Sequence, residues 1–62
     1  MWYAYKKNFK KNNNKITCIK DSFIKINTEH SSLLNDSQKK SVKINTIYTI
    51  KDEIKDYYII SI

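Results

Sequence analysis

Residues 42–50 read VKINTIYTI. Val42, Ile44, Tyr48 and Ile50 fall on one side of an alternation, with Thr46 between them; Lys43, Asn45 and Thr49 fall on the other. A period of two with β-branched residues predicts a half-buried strand. Ile47 breaks the alternation and is expected to cover a second small cluster. Downstream, YYIISI (57–62) resumes as a strand, with Tyr58, Ile60 and Ile62 on one face and Tyr57 and Ile59 on the other, so that both faces are expected to be covered. KDEIKD (51–56) reads as the connection between the two. Without glycine a tight primed turn is disfavoured there, and a longer loop with Asp52 or Asp56 bonding nearby backbone is expected.

Upstream, KITCIKDSFIKIN (15–27) holds two β-like pieces, Ile16 to Ile19 and Phe23 to Ile26. Lys20-Asp21-Ser22 makes a poor tight turn, so the segment reads as one long strand bent by a turn or bulge. TEHSSLLNDSQKKS (28–41) reads as a polar connection, with Leu33 and Leu34 tucked into the core as one helical turn and a turn signal at Asn35-Asp36-Ser37. The asparagine run 12–14 separates this β-rich body, 15–62, from a basic aromatic N-terminal segment, 1–14. That segment, beginning MWYAYKKNFKK, leaves three options open. On a helix Trp2, Tyr5 and Phe9 lie within about 60° of one another. WYAYK also suits an edge strand, since Trp and Tyr favour strands. The third option is a disordered arm.

Composition limits the answer further. The chain has 62 residues, and at this size folding buries about 60% of the unfolded surface. One small domain fits; a deep, walled active site does not. Glycine, proline and arginine are absent, and Lys, Asn, Ile and Tyr are frequent. These four share AT-rich codons, so lysine position is a better guide than lysine number. The net charge is +6, and residues 1–20 carry Lys6, Lys7, Lys10, Lys11, Lys15 and Lys20 with no acid. The remaining six lysines balance Asp21, Glu29, Asp36, Asp52, Glu53 and Asp56. A localised basic segment attracts nucleic acid or an acidic protein face. The single cysteine, Cys18, forms no internal disulfide and reads as a buried thiol in a reducing cytoplasm. No stretch has the length of a signal or membrane segment, so a cytoplasmic protein is expected.

Candidate chemistry is sparse. His30 sits alone in a polar connection and reads as an exposed loop histidine, because catalysis needs a nucleophile or carboxylate in reach. Asp52, Glu53 and Asp56 alternate with Lys51 and Lys55 and read as a solvated turn. Neither a phosphate loop, a Cys/His cluster nor a serine elbow is present, and backbone cradles for phosphate usually need glycine. No enzyme, cofactor or metal is therefore expected. The N-terminal segment carries the functional expectation. Trp2 and Tyr3 offer faces for base stacking, and Lys6, Lys7, Lys10, Lys11 and Lys15 offer phosphate contacts. Lacking arginine, such binding has no sequence specificity. The competing expectation places Trp2, Tyr5 and Phe9 in the core and leaves the lysines facing water.

The stretches CIKDS (18–22), VKINTIYTIKDE (42–53) and DYYIISI (56–62) resemble a family of very short phage and prophage proteins with SH3-like β-barrels. The family has a Lys-Gly-like pair where Lys43-Ile44-Asn45 stands here, and asparagine takes some glycine-like conformations. The family's further C-terminal strand has no counterpart, which leaves the N-terminal segment to supply a strand or a covering helix. The resemblance implies a mainly β fold, a partly open SH3-like barrel of four or five strands with the N-terminal segment packed on it. Together with the tiny size, the AT-rich composition and the missing catalytic groups, it leads to the expectation of a phage or mobile-element protein that binds and inhibits a host protein or nucleoprotein machine, such as a CRISPR or other defence complex. The alternative is a small nucleic-acid-binding accessory protein working through its N-terminal segment.

Overall fold

The computed structural model describes every residue from Met1 to Ile62. It is mainly β, with no α-helix and three short 3-10 turns, at Lys6–Asn8, Ser31–Leu33 and Asp36–Gln38. Seven strands follow in chain order: β1 (Trp2–Tyr5), β2 (Phe9–Asn12), β3 (Lys15–Cys18), β4 (Ser22–Lys25), β5 (Lys39–Val42), β6 (Ile47–Glu53) and β7 (Tyr57–Ile60). They form one antiparallel sheet in the order β2-β3-β6-β7-β1-β4-β5. The sheet does not close into a barrel, and it has seven strands rather than the expected four or five.

The N-terminal segment is strand, neither helix nor loose arm; Phe9–Asn12 forms the edge strand β2, but WYAY is not at an edge. WYAY forms β1 in the interior of the sheet, between β7 and β4, with Tyr3 opposite both Ile59 and Lys25. Tertiary pairing on both edges outweighs the helical spacing of Trp2, Tyr5 and Phe9, which a helix this short could not exploit alone. Trp2 and Phe9 pack into the core, whereas Tyr5 lies on the opposite side of the sheet against Tyr57. Asn13 and Asn14 then form a two-residue hairpin connection between Asn12 and Lys15, with Asn13 at φ 61°. Asparagine tolerates that left-handed geometry in the absence of glycine.

The stretch 42–50 is two strand ends and a turn, not one strand. Val42 closes β5; Lys43–Thr46 form a turn in which the Thr46 N–H donates to Lys43 O at 3.1 Å; Ile47 opens β6. Asn45 has φ 74°, the positive value that the third position of a type II turn requires. A turn of four residues preserves the phase of a two-residue repeat. Val42 therefore faces the core, and Tyr48 and Ile50 still pack against it beyond the turn. The alternation is real and conceals the break. Ile44 and Ile47 are exposed, so Ile47 covers no second cluster.

Three other boundaries also move. Residues 15–27 are not one bent strand. β3 lies between β2 and β6, and β4 between β1 and β5. Side chains hold the break: the Cys18 thiol donates to Lys20 O at 2.9 Å, and Asp21 Oδ1 accepts the Ile44 N–H at 2.8 Å. Lys39–Ser41, read as connection, belong to β5, and Lys51–Glu53 extend β6. β6 carries a bulge between Ile50 and Asp52, where its pairing passes from β3 to β7. The loop that remains, Ile54–Asp56, contains no positive φ, hence no primed turn, and Asp52 Oδ1 accepts the Glu53 N–H at 2.7 Å.

The core is a cluster of Ala4, Phe9, Ile16, Cys18, Ile24, Val42, Tyr58 and Ile60, with Trp2, Tyr48 and Ile50 packed at its margin. Tyr58, Ile59 and Ile60 are all buried, so β7 is covered on both faces as its sequence predicts. In the 28–38 connection Leu34 is 7% exposed and Leu33 72%; one leucine tucks in and its neighbour faces water. The turn after Leu34 is held by Asn35 Oδ1, which accepts the Ser37 N–H, and by Gln38 Oε1, which accepts the Asn35 N–H.

Candidate functional site: a basic sheet face and a roofed aromatic face

Strand alternation gives the curled sheet two chemically different outer faces. On the β2-β3-β6 part, register places Lys10, Thr17 and Ile47 in one row and Asn12, Lys15 and Thr49 in the next. The inner rows of the same strands hold Phe9, Cys18, Ile16 and Tyr48. The outer rows are open: Ile47 is 59% exposed, and Lys10, Asn12, Lys15 and Thr49 are exposed. Thr17 is half-buried between them.

The N-terminal lysines gather around this part of the sheet but are not equivalent. Lys6 and Lys11 share one carboxylate, donating to Glu53 Oε2 at 2.8 Å and Oε1 at 2.9 Å. Hydrogen bonds from Lys6 and then Lys11 hold the Glu53 carboxyl below its ordinary range, and the Glu53 bond raises the Lys11 ammonium above its own. Lys6 also lies 5.4 Å from the centroid of the Tyr58 ring. Lys15 donates to Thr49 Oγ1 at 3.2 Å. Lys7 and Lys10 are exposed and have no acidic partner. Register thus divides the lysines: Lys11 shares the inner row of Ile16 and Tyr48 and meets Glu53, which stands opposite Tyr58, whereas Lys10 and Lys15 lie on the outer rows. Lys10 and Lys11 lie on β2 and Lys39 and Lys40 on β5, the two open edges, where lysine also discourages edge-to-edge pairing.

The aromatic residues of the segment lie apart from these lysines. Trp2 is half-buried against the core. Tyr3 is half-buried on the outer face of β1, edge-on to Tyr57, with centroids 6.0 Å apart and planes at 86°. Lysines and aromatics adjacent in sequence are thus separated along the sheet: Trp2 and Tyr3 lie on β1, two strands from β6, and Lys10 and Lys15 lie on β2 and β3.

The outer face of β7-β1-β4-β5 carries Tyr57, Tyr3, Tyr5, Phe23, Lys25 and Lys39. It is roofed by the strap 28–31. Three donors from the sheet pin the strap by its carbonyls: Tyr57 Oη to Thr28 O at 3.3 Å, Lys25 Nζ to Glu29 O at 2.6 Å, and Lys39 Nζ to Ser31 O at 3.0 Å. Lys25 is 8% exposed, and burial pushes its ammonium below the ordinary lysine value. Burial likewise raises the Tyr57 hydroxyl. His30 Nδ1 accepts the Ser32 N–H at 3.2 Å, which leaves Nε2 as the protonated nitrogen of the neutral ring. Sequence reading missed this site. Its one legible signal was the alternation of FIK in β4, which places Lys25 on the face opposite buried Ile24.

No three His, Cys, Asp or Glu side chains come together as a metal-ligand group, and no helix is long and apolar enough to cross a membrane. No protein-family model, curated protein or solved structure matches the chain.

Proposed function

We propose that the protein is a non-enzymatic binding module that docks its basic β2-β3-β6 side on an anionic surface. One observation carries the reading: Lys10 and Lys15 stand on the uncovered outer rows of β2-β3-β6, and neither they nor Lys7 makes an ion pair. Lys7, Lys10 and Lys15 make the outward contacts, and Lys6 and Lys11 become available when Glu53 releases them. Trp2 and Tyr3 contribute by shaping the sheet. The curled sheet is read as an SH3-like barrel left open between β2 and β5.

The family resemblance supplies the setting. A phage or mobile-element protein of this size acts in the host cytoplasm by occupying a phosphate-lined or acidic surface of a nucleoprotein machine, such as a CRISPR or other defence complex, and so inhibits it. The second reading is a nucleic-acid-binding accessory protein. It is favoured by the same lysines, because ammonium groups on phosphate need no protein partner. One assay separates the two. A guide-loaded nuclease is incubated with the protein, and cleavage is followed with and without excess unrelated single-stranded RNA. Inhibition that survives the competitor supports contact with the machine itself. Inhibition relieved by it supports the accessory reading. Unimpaired cleavage, together with no binding of RNA or DNA at low salt, overturns both.

A further inference from the structure

We propose that the roofed face holds a second binding site, for a phosphate monoester on a small ring-containing molecule of mononucleotide size. The site is a cavity of about 540 Å³ between the strap and the sheet, lined by Tyr5, Asn8, Phe23, Lys25, His30 and Tyr57 together with Ser22, Thr28 and Ser31. That volume lies within the usual range for small-molecule sites, about 300–1,000 Å³.

Its polar lining is mostly donors. None of the nine lining residues is acidic. Lys25 uses one of its three N–H bonds on Glu29 O, which leaves two. The His30 ring has its proton on Nε2 because Nδ1 accepts from Ser32. Asn8, Thr28 and Ser31 add an amide and two hydroxyls. A buried ammonium without a carboxylate partner is costly, and this one has a backbone carbonyl and the face of Tyr57, 5.5 Å away, in place of an anion. An arriving oxyanion would supply the missing charge. Phosphate suits the site better than carboxylate. The donors are several and separate, matching a tetrahedral group with three free oxygens, and no guanidinium fork is present to grip a planar carboxylate. The rest of the lining is aromatic. Phe23 is 40% exposed and offers an edge for a ring.

The site shares no lysine with the basic β2-β3-β6 face, so the two proposals stand or fall separately. The test is an amide-resolved NMR titration of the intact protein with adenosine 5′-monophosphate, adenosine and inorganic phosphate. The nucleotide is expected to shift the Thr28–Ser31 and Tyr57 amides, and to bind at least ten-fold more tightly than adenosine. Lys25→Met keeps the side-chain stem and should abolish that preference, while the strap keeps its Tyr57 and Lys39 anchors. Phe23→Ala should weaken nucleotide binding while leaving inorganic phosphate unchanged. A 5′-phosphorylated trinucleotide that binds as well as the mononucleotide would identify a strand end as the source; one that is excluded would identify a free metabolite. Equal shifts from adenosine and its monophosphate, no shift at these amides at millimolar ligand, or undiminished binding by Lys25→Met would overturn the proposal.

Discussion

The two outer faces of this sheet are built from similar residues and finish differently. On β7-β1-β4-β5, lysines reach backbone: Lys25 and Lys39 each donate to a strap carbonyl, those of Glu29 and Ser31, and the strap covers tyrosines that would otherwise be bare. On β2-β3-β6 nothing covers the sheet. Lys10, Lys15, Ile47 and Thr49 face water, and Glu53 ties down Lys6 and Lys11 at the margin. A lysine is thus tied to backbone or open to solvent according to whether a loop folds over it. Lysine counts in a sequence rich in AT-type residues do not distinguish the two.

The largest contrast is in stability. Ile24→Ala, on the core side, should cost about 2–5 kcal/mol, enough to unfold much of a small domain. Ile47→Ala, on the open face, should stay within about 0.5 kcal/mol. Thermal or urea unfolding of the pair checks this, and a large cost at Ile47 would mean that the open face is covered in solution. Next comes the turn that brings β5 into β6. Asn45→Val forces a β-branched residue to positive φ and should cost about 1–2 kcal/mol, whereas Asn45→Gly should be neutral or stabilising by the same unfolding measurement.

How far the sequence reveals this contrast depends on which residues are read. The mainly β class, the two covered faces of β7 and the buried Cys18 thiol all follow from local pattern or composition and agree with the structure. The interior place of β1 does not. WYAY reads equally as helix or strand, and only its pairing with Ile59 and Lys25, both distant in sequence, decides. The division of 42–50 was hidden because an even-length turn leaves alternation in phase. The strap was hidden because its anchors are backbone carbonyls, which no side-chain pattern reports. The lysine cluster was legible from its missing acids; the separation of Trp2 and Tyr3 from Lys10 and Lys15 was not, since it depends on the order of β1, β2 and β3 in the sheet.

Smaller effects sharpen the electrostatic side of the comparison. Replacing Lys7, Lys10 and Lys15 by Gln should weaken binding to single-stranded nucleic acid and reduce the slope of log affinity against log salt by about 0.7 for each phosphate left without its ammonium. Lys25→Met, on the roofed face, should leave that slope unchanged. Fluorescence anisotropy across a salt series reads both. Glu53→Gln should act in the opposite direction, freeing Lys6 and Lys11 and steepening the slope. Its stability effect has a defined pH sign. The Glu53 carboxyl is depressed on folding, so its contribution is present above the ordinary carboxylate range and is lost as pH falls through the folded value. Wild type and Glu53→Gln should therefore differ slightly in melting temperature at neutral pH and converge in acid.

The most direct test of the central claim, that the uncovered face is the anion-docking surface, is an amide-resolved NMR titration with an unphosphorylated single-stranded oligonucleotide at low and at physiological salt. Shifts are expected along Lys7, Lys10, Asn12, Lys15, Thr17, Ile47 and Thr49, shrinking as salt rises, with Thr28–Ser31 and Tyr57 silent. Shifts confined to the strap and Tyr57, or none on β2-β3-β6 even at low salt, would contradict the claim.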